Sequence, residues 1–97
     1  MKMEMRIIFN DGSTKDCTAI FADFVAFERT WNRSVTKFET ELRLTDIAWL
    51  AWKTQIRVKN IQDQFDIWLE TVETIDVVAD EVPDAPEEVV TKQVPLD

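Results

Sequence analysis

The chain contains no histidine, which removes the side chain that most often moves protons or binds transition metals near neutral pH. Its one cysteine, Cys17, allows neither an intrachain disulfide nor a cysteine metal cluster, and fits a reducing compartment. Its one glycine, Gly12, is too few for a glycine-rich phosphate loop. No apolar run reaches the length of a membrane span, and the N-terminus lacks the apolar stretch of a signal peptide. These absences predict a soluble cytoplasmic protein without cofactor, metal site or membrane partner.

What is present suits a single small domain. Of 97 residues, 45% are hydrophobic, and four tryptophans and six phenylalanines supply large units for one core. The net charge of −8 is unevenly spread: residues 1–78 hold 13 acidic and 10 basic side chains, residues 79–97 six acidic and one basic. The acidic excess is therefore assigned mostly to the C-terminal stretch. Such a balance repels nucleic-acid phosphates and anionic membranes.

The N-terminal segment reads as a β-hairpin. Met3, Met5, Ile7 and Phe9 alternate at the period of a half-buried strand, and Asn10-Asp11-Gly12 is a turn signal. A two-residue loop would pair Ile7 with Asp16 and mix the faces. A three-residue loop with Gly12 left-handed sets Met5 opposite Cys17 and Arg6 opposite Asp16, so that like faces like. Cys17 is then a small core residue.

A helix is predicted next, with Thr18 as its cap and Ile20, Phe24, Phe27 and Trp31 along one stripe, flanked by Phe21 and Val25. Ser34 is placed to cap a short turn carrying Val35 and Phe38. The following helix, within the stretch "RLTDIAWLAWKTQIR", has Thr45 as cap and Asp46 in its first turn, where the helix dipole favours an anion, and Asn60 is placed to end it. On a helical wheel Leu44, Ile47, Ala48, Trp49, Ala51, Trp52, Ile56 and Val58 span a broad apolar arc, with Asp46, Lys53 and Arg57 opposite and Leu50 at their margin. An arc this wide must touch two or three elements. Ala48 and Ala51 beside the Trp rings suit tight helix packing inside the monomer; the alternative is partner binding, with candidates Trp49, at the arc's edge, Trp52, Leu50, Lys53 and Arg57. From Asp63, the residues Phe65, Trp68, Leu69, Val72 and Ile75 or Asp76 predict a third amphipathic helix. After Val78 all three prolines, many carboxylates and no aromatic residue predict a disordered acidic tail. The expected architecture is α+β: a globular domain over 1–78 built from a hairpin and three main helices, with a short helical turn near 34–41, and a tail over 79–97.

No reactive constellation emerges. Asp63 with Asp66, and Glu70 with Glu73, stand three apart on the face away from the apolar stripe, so a solvated helix face outweighs acid–base or magnesium chemistry. Arg29, Arg33, Lys37 and Arg43 interleave with Trp31 and Phe38 as a stacking platform would. Asp23, Glu28, Glu39 and Glu41 among them argue against nucleic acid. No enzyme class is indicated.

The segments "FADFVAFERTWNRSV", "LRLTDIAWLAW" and "FDIWLETVETIDVV", in this order behind a hairpin and before an acidic tail, resemble the tail assembly chaperones of long-tailed phages of actinobacteria over about residues 3–80. In that family the helix end before Ser34 often reads "FG"; here it is Trp31-Asn32, and asparagine also takes the left-handed conformation. The resemblance implies a cytoplasmic assembly factor of the infected host that binds the tape-measure protein, keeps it soluble during tail-tube assembly, self-associates, and is absent from the mature virion. It also implies a longer form made by programmed frameshift. The competing readings are an acidic inhibitor or DNA mimic of phage origin, and a minor structural subunit of the virion tail.

Overall fold

The computed structural model describes residues 1–81, the side chains of residues 37, 39, 40 and 81 aside. The architecture is α+β: strands β1 (Lys2–Phe9) and β2 (Thr14–Ile20), helix α1 (Phe21–Trp31), a 3-10 turn (Val35–Lys37), short helix α2 (Phe38–Glu41), central helix α3 (Leu44–Arg57), short helix α4 (Phe65–Leu69) and strand β3 (Val72–Glu81). The expected tail lies outside the described residues except for Ala79–Glu81, which belong to β3 and extend the folded body past residue 78.

The hairpin has the three-residue loop. The Phe9 N–H donates to the Ser13 carbonyl at 2.8 Å and the Gly12 N–H to the Phe9 carbonyl at 2.9 Å. Gly12 sits at φ +89°, open to glycine without steric cost. Asp11 steadies the loop by accepting the Ser13 N–H and hydroxyl at 2.9 and 2.6 Å, and these bonds hold its carboxyl below the ordinary range. Met5 lies opposite Cys17 and Arg6 opposite Asp16, the register that like-faces-like requires. Met3, Met5 and Ile7 point into the core, while Arg6 and Asp16 form an ion pair at 2.8 Å on the open face.

The predicted third helix is corrected. α4 runs only from Phe65 to Leu69, and the chain then enters β3, antiparallel to β1 in a sheet of order β2-β1-β3. Thr71, Val72, Thr74, Ile75, Val77 and Val78 are all β-branched, stiff at χ1 and suited to a pleated surface. The deciding force is tertiary. Without β3, the far edge of central strand β1 would carry unpaired backbone groups, and a lone hairpin is marginal in water. Asn10 fixes the switch: its N–H donates to the Thr71 carbonyl at 2.9 Å and its side-chain amide to the Glu70 carbonyl at 2.7 Å. Bulges between Glu4/Met5 and Ile8/Phe9 leave Val78 and Glu73 as the extra residues of β3.

Two predicted caps also move. Thr18 lies inside β2 and Thr45 inside α3. The N–H groups of Ile20 and Arg43 are bound instead by the carboxylates of Asp23 and Asp46, three residues into each helix, at 2.9 and 3.0 Å. Ser34 does cap the short turn, accepting the Thr36 N–H at 3.1 Å. Asn32 ends α1 in the left-handed conformation (φ 51°). Of the α1 stripe, Phe24 and Phe27 are buried, while Ile20, Phe21 and Trp31 lie substantially exposed.

The helices cover one face of the sheet. Aromatic rings link them: Phe27 meets Phe38 (5.2 Å between centroids) and Trp49 (6.0 Å), Trp49 meets Trp52 (5.9 Å), and Trp52 meets Phe65 (5.7 Å). Spaced edge-to-face or tilted, these pairs tie α1, α2, α3 and α4 into one core.

Candidate partner-binding surface

α3 is enclosed by β2, α1, α4 and β3, which accounts for its wide apolar arc. Its most deeply buried side differs from the wheel's. Asp46 and Leu50 are fully buried, whereas Leu44 and Val58, placed within the arc, are 85% and 56% exposed. The wheel ranks residues by intrinsic polarity, and a fully partnered carboxylate defeats that ranking. Asp46 accepts Arg33 Nη1 at 2.5 Å, the Arg43 N–H at 3.0 Å and Arg43 Nη2 at 3.4 Å. Arg33 also donates to the Glu41 carbonyl, fastening the connector that carries α2.

A second clamp mirrors the first. Asp23, also fully buried, accepts Arg57 Nε through both carboxylate oxygens at 3.1 and 3.2 Å, and Arg57 Nη2 reaches the Thr18 carbonyl at 3.0 Å. The start of α1 is thus pinned to the end of α3, and the connector just beyond α1 to the start of α3. Antiparallel helices are locked at both ends by a buried carboxylate that also caps a helix.

The five candidate partner-binding residues do not form one surface. Trp49 is buried between Phe27 and Trp52, and Leu50 is completely buried, so neither is presented by the monomer. Arg57 is engaged in the second clamp. Trp52 is half-buried with its indole N–H donated to the Asp63 carbonyl at 2.9 Å, holding the loop before α4. Lys53 is half-buried and forms no ion pair among the described residues. Enclosure of α3 on several sides converts its aromatic surface into core.

An apolar groove lies elsewhere, apart from the exposed Phe21, Trp31 and Ile67. Leu44, Ile47 and Ala48 of α3, Leu69 of α4, and Val72 and Ile75 of β3 line a groove of about 170 Å³. Leu44 stands almost fully in solvent at one side, and Leu69 is 37% exposed. Glu73 and Thr74 complete the lining. Sequence reading gave Leu69, Val72 and Ile75 to one buried helix stripe, so it missed the groove that the turn into β3 creates. One signal was available: from Asn60 to Glu81 the chain has seven carboxylates and no cation. In the fold this stretch is the loop before α4, α4 itself and edge strand β3. Asp63, Asp66, Glu70, Glu73, Asp76 and Asp80 are all exposed, and none forms an ion pair among the described residues.

The remaining constellations do not assemble. Glu70 and Glu73 fall on either side of the turn into β3 and no longer share a helix face. Among the described residues no three potential ligands gather around a possible metal position. Of the stacking platform, Phe38 is buried and Arg33 is committed to Asp46 and Glu41. Cys17 is half-buried, and burial pushes its thiol pKa up. No helix among the described residues is long and apolar enough to cross a membrane. Comparison with protein-family models, curated proteins and solved structures finds no match to this chain.

Proposed function

We propose that the chain is a phage tail assembly chaperone that binds the tape-measure protein in the cytoplasm of the infected host, keeps it soluble while the tail tube forms, and is absent from the mature virion. The observation that carries this reading is the open apolar groove beside Leu44 and Leu69, with Leu44 85% exposed at its side. A holder for a long, helical, aggregation-prone chain needs an apolar groove for amphipathic helices and surplus charge for solubility. Many copies along one client, joined by self-association or by a longer frameshifted form, would multiply weak contacts into avidity. Co-expression with the long helical product of the neighbouring gene tests the proposal: that product should move from the insoluble to the soluble fraction. Equal solubility with and without this chain defeats it.

One observation favours a second reading, an acidic inhibitor or DNA mimic. With Asp80 and Glu81 inside β3, residues 1–81 carry 15 carboxylates against 10 cations, and seven of the carboxylates fall in the last 22 residues of that body. A mimic would bind a basic DNA-binding protein in competition with duplex DNA, and reversing Asp76 and Asp80 to lysine would abolish that competition. The same reversal leaves tape-measure solubility unchanged if the chaperone reading holds. Mass spectrometry of purified particles separates both from a minor virion subunit, which would be present in them.

A further inference from the structure

The groove between α3 and β3 has a size, a shape and a charge that together select an occupant. At about 170 Å³ it is smaller than the roughly 300–1,000 Å³ of sites that enclose small ligands, so it suits a few inserted side chains. Its α3 wall offers Ala48, where a neighbouring element can approach closely, beside the projecting Leu44. Addition of a strand along β3 is disfavoured, because the bulges at Glu73 and Val78 break the regular ladder at two places on that edge. A helix presenting apolar residues three and four apart meets no such obstacle.

The charge of the α4–β3 wall is one-sided, and on the α3 wall Arg43, before Leu44, is drawn to Asp46 at 3.4 Å. Glu73 lines the groove, Glu70 follows the lining residue Leu69, and no lysine or arginine occurs from Asn60 to Glu81. A second copy presenting the same acidic side would be repelled. So would the chain's own residues 82–97, with four carboxylates against one lysine. We infer that the groove formed by Leu44, Ile47, Ala48, Leu69, Val72 and Ile75 is the docking site for a cationic amphipathic helix of a partner protein, its apolar stripe inserted beside Leu44 and its flanking lysines or arginines facing Glu70 and Glu73. This names the client chemistry of the chaperone site, and rests on that reading for the origin of the helix.

The test uses the full chain, isotope-labelled, and a synthetic Leu/Lys amphipathic helix of about five turns, with a twin in which every Lys is Glu. Amide shifts should change at Leu44, Ala48 and Leu69–Ile75 with the Lys peptide, and the Glu twin should bind at least about tenfold more weakly. Leu44→Lys, at a position already 85% exposed, should leave the fold intact and weaken binding about tenfold. Glu70→Lys with Glu73→Lys should remove the preference for the Lys peptide. Shifts centred elsewhere, equal binding of the two peptides, or an unaffected Leu44→Lys variant would overturn the inference. So would groove shifts that appear with protein concentration alone, which would assign the groove to a second copy. Co-expression separates the two claims. A chain that binds the Lys peptide in the groove but leaves the tape-measure protein insoluble refutes only the chaperone reading. A Leu44→Lys variant that still solubilises the tape-measure protein refutes only the groove.

Discussion

Replacing Asp46 with alanine removes three bonds at once. The Arg33 guanidinium, whose side chain is only 16% exposed, loses the carboxylate at 2.5 Å, Arg43 loses its weaker contact at 3.4 Å, and the Arg43 N–H at the start of α3 loses its acceptor. Breaking a buried ion pair costs about 3–5 kcal/mol, because the partner left behind is a desolvated charge. Arg33 keeps the Glu41 carbonyl and can turn partly toward water, which places the pair at the lower end, about 3 kcal/mol. The lost cap adds about 1 kcal/mol. For 81 described residues at about 0.05–0.15 kcal/mol each, total stability is about 4–12 kcal/mol, so this one change removes a third or more of it. Urea unfolding followed by tryptophan fluorescence reads the shift, since Trp49 and Trp68 are buried and report the core. A double-mutant cycle with Arg33→Ala should show coupling above about 1.5 kcal/mol. A loss below about 1 kcal/mol for Asp46→Ala, or additive single changes, would refute the view that this carboxylate locks α3 to the connector.

Three further outcomes follow from the packing. Trp49→Ala should cost about 3–5 kcal/mol in the same urea experiment, because it opens a cavity between Phe27 and Trp52; a change below about 1 kcal/mol would return Trp49 to the surface. Gly12→Ala should cost about 1–2 kcal/mol from backbone strain alone, since nothing lies within 4 Å of the added methyl, and Gly12→Asn should cost less. The Cys17 thiol should react with a disulfide reagent at mildly alkaline pH at least about tenfold more slowly than the same thiol in urea. Its folded pKa is raised, so the native state holds the proton more firmly. The associated stability is present below the unfolded thiol pKa and falls as pH climbs from there through the folded value.

How much the sequence could say depended on the range of the forces involved. The hairpin, its three-residue loop and its register were legible because they rest on local rules: alternation over Met3 to Phe9, one glycine at the position needing positive φ, and complementary Arg6 and Asp16. The α1 and α3 segments were legible from apolar periodicity, and the width of the α3 arc foretold its enclosure. The fate of Val72–Glu81 was not. Its apolar residues satisfy a helical stripe and a strand almost equally, and only the unpaired edge of β1, whose residues pair across separations from Phe9–Val72 to Lys2–Glu81, decides between them. The partner surface went the same way: Trp49 and Leu50 looked available until α1, the sheet and α4 closed around them. Leu69, Val72 and Ile75 looked buried until the turn into β3 opened a groove. Asp23 and Asp46 make the same point, since polarity is written in the sequence but the arginine that makes a buried carboxylate tolerable is supplied by the fold.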